Sequence, residues 1–147
     1  MSTELLSDSS VANRKASVVS RRKPYADLDL SLTLHPVFND IRPVKDLRAV
    51  KNAVKNLVLT NFNERPFQPK LGSNVRALLF ENATPITIIS IKEEIERVLR
   101  VHEKRVNQVS VDVTDDSDNN AYRVSISFNI ISFDEVVDMD ILLERVR

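Results

Sequence analysis

The sequence predicts an α+β fold in which N-terminal helices pack on a small three-stranded antiparallel sheet at the C-terminus. Apolar residues recur at helical spacing between residues 46 and 102, and beyond residue 103 they alternate with polar residues instead. A polar stretch separates the first two alternating runs, as a hairpin loop would. The chain has 147 residues, of which 42% are hydrophobic, so it is large enough to bury one core. We therefore expect a single domain over residues 25–147.

Residues 1–24 differ in composition from the rest of the chain. They are rich in serine, lack hydrophobic periodicity, and carry five basic side chains against two acidic ones. We expect them to form a flexible basic tail that becomes ordered on a partner. The whole chain has a net charge of zero, which argues against general nucleic-acid binding. No apolar run approaches the roughly 18 residues that span a bilayer, so we expect no membrane partner.

Two long amphipathic helices are predicted. The first runs from about Asp46, as its N-cap, to Thr60. Thr84 followed by proline is a typical helix start, and this second helix should reach about His102. A short helix after Ser73 or Asn74 is expected between them. The core-facing residues of the first helix are Leu47, Val50, Val54, Leu57 and Val58.

Three strands should follow the helices. Apolar residues alternate with polar ones from Val109 to Val113, from Tyr122 to Ile130, and from Val137 to Leu143. The third run also fits a helix, but its period of two favours a strand. This strand comes last, so we expect it to form an edge of the sheet. A partner chain with basic residues can add a strand to such an edge, although a plain edge that ends the domain explains the pattern equally well.

A rigid turn is predicted between the helices. Pro66 and Pro69 fix φ and bias the residue before each toward extended geometry. Gly72, the only glycine in the chain, can adopt a positive φ where the backbone leaves this segment. From the residues alone, the turn is a stiff connector.

Catalytic and metal chemistry has little support in the sequence. The chain has no cysteine, and its two histidines share no ligand spacing with a carboxylate pair. Glycan hydrolysis needs two carboxylates that face each other across a cleft. Glu64 and Glu81 are the acidic residues near aromatic side chains at loop or helix ends, where a cap or a solvated surface is the commoner role. We therefore expect no enzymatic activity, no metal and no cofactor.

The sequence Glu103-Lys104-Arg105 lies where the second long helix gives way to the first strand. Arg105 can reach outward and bind a carboxylate of a neighbouring subunit through two parallel hydrogen bonds. Alternatively, basic side chains at a helix end interact with the helix dipole. The residues alone leave both interpretations open.

In combination, these features resemble the baseplate wedge and sheath-initiator family of contractile tails. The resemblance covers residues 25–147, and its distinctive part is an Arg-Pro-Phe-x-Pro-x-Leu-Gly turn that follows a helix. A tyrosine-aspartate lead-in precedes this turn, and a Leu-Phe-Glu-Asn-x-Thr-Pro step follows it. The family's Glu-Pro-Arg signature corresponds to Glu103-Lys104-Arg105, where Lys104 replaces proline. The residues that match the turn are Arg65, Pro66, Phe67, Pro69, Leu71 and Gly72.

The resemblance implies a structural role in a phage tail. Glu103 and Arg105 would contact the helix bundle of the larger wedge subunits. The last strand would offer a template to the first ring of sheath subunits, through Val137, Met139, Ile141 and Leu143. The protein would lie in the virion after assembly in the host cytoplasm. Residues 1–24 lie outside the resemblance, and we expect them to contact the tail tube or hub. A type VI secretion baseplate component and, with less support, a cell-wall-degrading tail lysozyme remain alternatives.

Overall fold

The computed structural model of the chain describes residues 25–131 and 135–145, so the expected tail lies outside the described residues. Within these residues, three helices precede a three-stranded antiparallel sheet, which confirms the predicted α+β fold. The elements are β1 (Ala26–Leu28), β2 (Pro43–Lys45), α1 (Asp46–Leu59), α2 (Val75–Leu78), α3 (Pro85–His102), β3 (Val106–Asp116), a 3-10 turn (Ser117–Asn119), β4 (Ala121–Ile130) and β5 (Glu135–Glu144).

Helix α3 begins and ends at the predicted residues. The side-chain oxygen of Thr84 accepts a hydrogen bond from the backbone N–H of Thr87 at 3.2 Å, and Pro85 is the first helical residue. Proline fits there because the N–H that it lacks would have no partner inside the helix. The helix buries Ile91, Ile95, Val98 and Leu99.

Helix α1 has the predicted length and buried face, but Asp46 does not act as its N-cap. Lys45 occupies the cap position, and no side chain caps the helix there. Asp46 is the first helical residue with a φ of +52°, and its N–H donates to the carbonyl of Tyr25 at 2.7 Å. The prediction was wrong because β1 and β2 form an antiparallel ribbon whose pairing runs directly into the helix.

The main sheet has the strand order β3-β4-β5, with both neighbouring pairs antiparallel. Strand β5 lies at one edge of this sheet, as expected. Strand β3 starts three residues before the predicted run, and a register shift between Asn107 and Ser110 interrupts its pairing with β4. Gln108 has a φ of +50° within this irregularity. The bulge disturbs the alternation there, which explains why the pattern began to be visible only at Val109.

One hydrophobic core joins the helices to one face of the sheet. Its central strand is β4, where Tyr122, Val124, Ile126, Phe128 and Ile130 are all fully or almost fully buried. From β5, Val137, Ile141 and Leu143 are buried and Met139 is partly buried. The inward side of each predicted strand is therefore the side that packs on the helices.

Candidate functional site

The turn between α1 and α2 is a closed loop held by its own backbone. The N–H of Ser73 donates to the carbonyl of Thr60 at 2.8 Å, and the N–H of Asn63 donates to the carbonyl of Pro69 at 3.0 Å. The hydroxyl of Ser73 is buried and donates to the carbonyl of Val58 at 2.6 Å. These bonds join the two ends of the loop, so its tip is displayed in a fixed position.

Gly72 allows this closure. Its φ is +131°, and a Cβ atom at this position would lie 2.6 Å from the carbonyl oxygen of Thr60. Both the backbone angle and the close approach require glycine. At the loop tip, the side chain of Phe67 is 100% exposed between the two prolines.

A charged pair ties the loop to α3. The carboxylate of Glu94 accepts two hydrogen bonds from Arg97, at 2.7 and 2.9 Å, and one from the backbone N–H of Asn74 at 2.8 Å. These hydrogen bonds hold the pKa of Glu94 below its usual value, with the bond from Arg97 the largest cause. The guanidinium of Arg97 also lies 5.4 Å from the ring centroid of Phe62 in the loop. This pair was not among the predicted features, although its i,i+3 spacing on α3 was the signal that could have revealed it.

Glu103 and Arg105 contact each other at the corner between α3 and β3. Two nitrogens of the guanidinium donate to the two carboxylate oxygens of Glu103 at 2.7 and 2.6 Å. Glu103 is only 7% exposed, whereas Lys104 between them is exposed. The bonds to Glu103 raise the pKa of Arg105 above its usual value. The sequence suggested that Arg105 binds a carboxylate of a neighbouring subunit through two hydrogen bonds. In the structure these two bonds go to Glu103 of the same chain, which orients Arg105.

The β1 strand lies beside this corner. The guanidinium of Arg105 stands 5.4 Å from the ring centroid of Tyr25, which immediately precedes β1. A depression of about 360 Å³ separates the corner from the closed loop. Its lining includes Asp27, Arg65, His102 and Glu103. The segment around Tyr25 and β1, the closed loop and the Glu103–Arg105 corner are distant in sequence, but all three border this depression.

Half of the backbone N–H and C=O groups of β5 point away from β4. The N–H of Arg145 donates to the carbonyl of Asn120, the residue opposite it in the β4–β5 register, at 2.9 Å. Hydrogen-bonded pairs alternate in an antiparallel ladder, so odd-numbered β5 residues bond to β4 and even-numbered ones point their N–H and C=O groups outward. Lys51 agrees with this, since its ammonium donates to the outward carbonyl of Asp138 at 2.9 Å.

The side chains of β5 follow the same alternation. Val137, Met139, Ile141 and Leu143, the residues predicted for the template strand, face the core and hold the strand in place. The even-numbered residues are exposed, including Val136 at 67% and Leu142 at 52%. A chain that paired with this edge would therefore contact the backbone and side chains of the even-numbered set.

Glu64 and Glu81, the carboxylates considered for glycan hydrolysis, do not face each other across a cleft of the described residues. Glu64 accepts a hydrogen bond from the backbone N–H of Asn61 at 2.7 Å, and Glu81 is exposed in a turn after α2. Within residues 25–131 and 135–145, no group of three or more acidic, histidine or cysteine side chains could hold a metal ion. Over the same residues, no helix combines the length and hydropathy needed to cross a membrane.

Comparison with known proteins places these features in a family. The model of the family described as "Baseplate wedge protein gp25" matches residues 44–134. The baseplate wedge protein gp25 of Enterobacteria phage T4 is 32% identical over 110 residues, which cover 74% of this chain and 82% of that protein. The region that the family model matches contains both the closed loop and the Glu103–Arg105 corner.

Two solved structures share the fold at low sequence identity. A candidate tail lysozyme from Geobacter sulfurreducens superposes with a TM-score of 0.64 at 16% identity, over 68% of this chain and 91% of that one. A chain in the anti-feeding prophage baseplate gives a TM-score of 0.54 at 15% identity, over 84% of this chain and 88% of that one. From the family model and the T4 relative, we conclude that this chain belongs to the gp25 family of baseplate wedge proteins.

Proposed function

We propose that this chain is a structural subunit of the baseplate of a contractile phage tail, located in the virion after assembly in the host cytoplasm. Family membership is the observation that carries the proposal. The free edge of β5 and the corner at Glu103–Arg105 provide two surfaces suited to assembly. Residues 1–24, which lie outside the described residues, are proposed to contact the tail tube or hub.

The corner is proposed to bind the helix bundle of the larger wedge subunits. Glu103 holds both guanidinium nitrogens of Arg105 that face it, so its role is to position Arg105. The surface available to a partner is the exposed Lys104 with the 29% of the Arg105 side chain that remains accessible. Lys104 leaves the backbone freer than the family's proline would, and it adds a positive charge to this surface.

The outward edge of β5 is proposed to initiate the tail sheath. Even-numbered β5 residues present backbone N–H and C=O groups to which a strand of a sheath subunit can bond. The even-numbered set includes Asp138, Asp140 and Glu144, whose side chains are exposed. Their negative charge discourages pairing with a second copy of this edge. A basic arm of a sheath subunit is favoured instead.

Replacing Leu142 by proline tests the edge. The N–H of Leu142 points outward, so L142P removes a donor that β4 does not use and leaves the sheet ladder intact. We expect L142P to abolish co-sedimentation with the cognate sheath subunit. L142A, which retains the N–H, should still bind, and thermal unfolding should establish that both variants are folded. Sheath binding by folded L142P at the wild-type level would refute initiation through β5.

No enzymatic activity is proposed. Glu64 is committed to the backbone of its own loop, and Glu81 is exposed to solvent. A general acid in glycan hydrolysis needs a raised pKa and a carboxylate partner across a cleft. We expect the purified protein to leave the turbidity of a peptidoglycan suspension unchanged in an assay in which lysozyme, the positive control, clears it. Clearing that is lost in a Glu64→Gln, Glu81→Gln double variant would overturn this.

A further inference from the structure

A groove runs beside the C-terminal half of β5, on the side of the sheet edge that faces the helices. It has a volume of about 360 Å³, and apolar side chains from α1, α2 and β5 dominate its lining. Leu59 is about half exposed at the groove, while Val58, Val75, Leu79 and Leu143 are buried. Arg76 and Glu144 provide charge at its margin.

The two faces of β5 differ in chemistry along this edge. On the helix side, a strand added next to β5 would place alternate side chains over the apolar groove. On the opposite side, its other side chains would lie beside the exposed carboxylates of Asp140 and Glu144. Cross-strand pairs favour opposite charges and apolar partners, so the matching strand alternates apolar and basic residues.

Because of Lys51, the two halves of the β5 edge differ in how accessible their outward backbone groups are. Its ammonium occupies the outward carbonyl of Asp138, near the N-terminal end of β5. The outward groups of Asp140, Leu142 and Glu144 have no such cover among the hydrogen bonds of the described residues. Lysine is a residue that sheet edges commonly use to block added strands. The open half of the edge is therefore the half that borders the groove.

We propose that this groove receives apolar side chains from an arm of the sheath subunit whose residues alternate apolar and basic, and that Lys51 confines the added strand to Asp140–Glu144. This inference rests on the proposed function and specifies the register and side-chain chemistry of the partner. The charge of β5 supports the choice of a basic arm, since Asp140 and Glu144 are both exposed on the part of the edge that the arm would pair with.

The groove is tested by titrating the cognate sheath subunit into two matched variants. Leu59 at the groove and Ile89 on α3 are exposed to a similar degree, 48% and 55%. We expect Leu59→Asn to weaken binding at least tenfold and Ile89→Asn to leave it unchanged. Equal affinities for these two variants would overturn the role of the groove, while the L142P result would still decide whether β5 binds the sheath at all.

Amide hydrogen exchange tests the register. On addition of the sheath subunit, the N–H groups of Asp140, Leu142 and Glu144 should become protected, and those of Val136 and Asp138 should not. Lys51→Met keeps the length of the side chain without its ammonium, so protection should extend to Asp138. Protection of all five amides in the wild-type protein would refute confinement by Lys51. Absence of protection throughout β5 in a complex that forms would overturn both this inference and the proposed initiation through β5.

Discussion

Tyr122 combines a fully buried ring with a hydroxyl that lacks a hydrogen-bond partner among the described residues. Burial raises the pKa of this hydroxyl, and a buried polar group without a partner is costly. We expect Tyr122→Phe to raise the free energy of unfolding by about 1 kcal/mol in urea titration. Ser73→Ala, which removes a buried and bonded hydroxyl, should lower it by a similar amount. A loss of stability in Tyr122→Phe would mean that the hydroxyl does have a hydrogen-bond partner in the folded protein.

Gly72 is a second residue whose identity the backbone dictates. Its φ is +131°, and only 2.6 Å would separate a Cβ atom on this residue from the carbonyl oxygen of Thr60, so there is no room for a side chain. We expect Gly72→Ala to cost about 2–4 kcal/mol of unfolding free energy because the loop must open or the backbone must strain. Lys70→Ala in the same loop is the control, since that side chain is exposed. Equal stability of the two variants would mean that the loop adapts freely.

At the scale of elements, Glu94 joins α3 to the start of α2. Its pKa is lowered in the folded protein, so the carboxylate stabilises the fold above its ordinary pKa of about 4.3, and this contribution is lost as the pH falls through the folded value. Arg97 is 44% exposed, so we expect Glu94→Gln to cost only about 1 kcal/mol at pH 7. The difference from wild type should shrink in urea titrations as the pH falls through the lowered pKa of Glu94 in the folded protein.

Glu96→Gln is the matched control, because its contact with Arg100 is longer, at 3.7 Å, and one partner is 74% exposed. It should change stability little at any pH. A pH-independent cost for Glu94→Gln would indicate that the packing of this side chain, and not its charge, holds α2 to α3.

Periodicity identified the elements correctly because burial on one face imposes it. Helix α3 and strands β4 and β5 lie where the pattern placed them, since each packs a single face on the core. Contacts between residues distant in sequence were not predictable in this way. The pairing of β1 with β2 displaced the expected cap at Asp46, and no local pattern announces that Lys51 reaches the carbonyl of Asp138. The engagement of Arg105 by Glu103 likewise depends on how tightly the corner folds.

At the scale of the whole molecule, the two proposed surfaces lie at opposite ends of the sheet. The N–H of Ile131, at the end of β4, donates to the carbonyl of Arg105 at 3.1 Å, so the corner adjoins the end where β5 begins. The groove lies beside the other end of β5, at Leu142–Glu144. Ten residues of extended chain separate these ends by about 30 Å. Strand β4 connects them, since it is paired with a strand on each side and buries one face in the core.

This arrangement predicts that the two interfaces are energetically independent. Lys104→Glu should weaken binding to the larger wedge subunits and leave sheath binding unchanged, whereas Leu59→Asn should do the reverse. Sites this far apart without shared partners usually add within about 0.5 kcal/mol, so the double variant should show the sum of both losses. Titration calorimetry against each partner measures this, with Lys55→Glu on the exposed face of α1 as the charge-reversal control. If Lys104→Glu also weakened sheath binding, the sheet would have to transmit a change between its ends, and the two interfaces would not be independent.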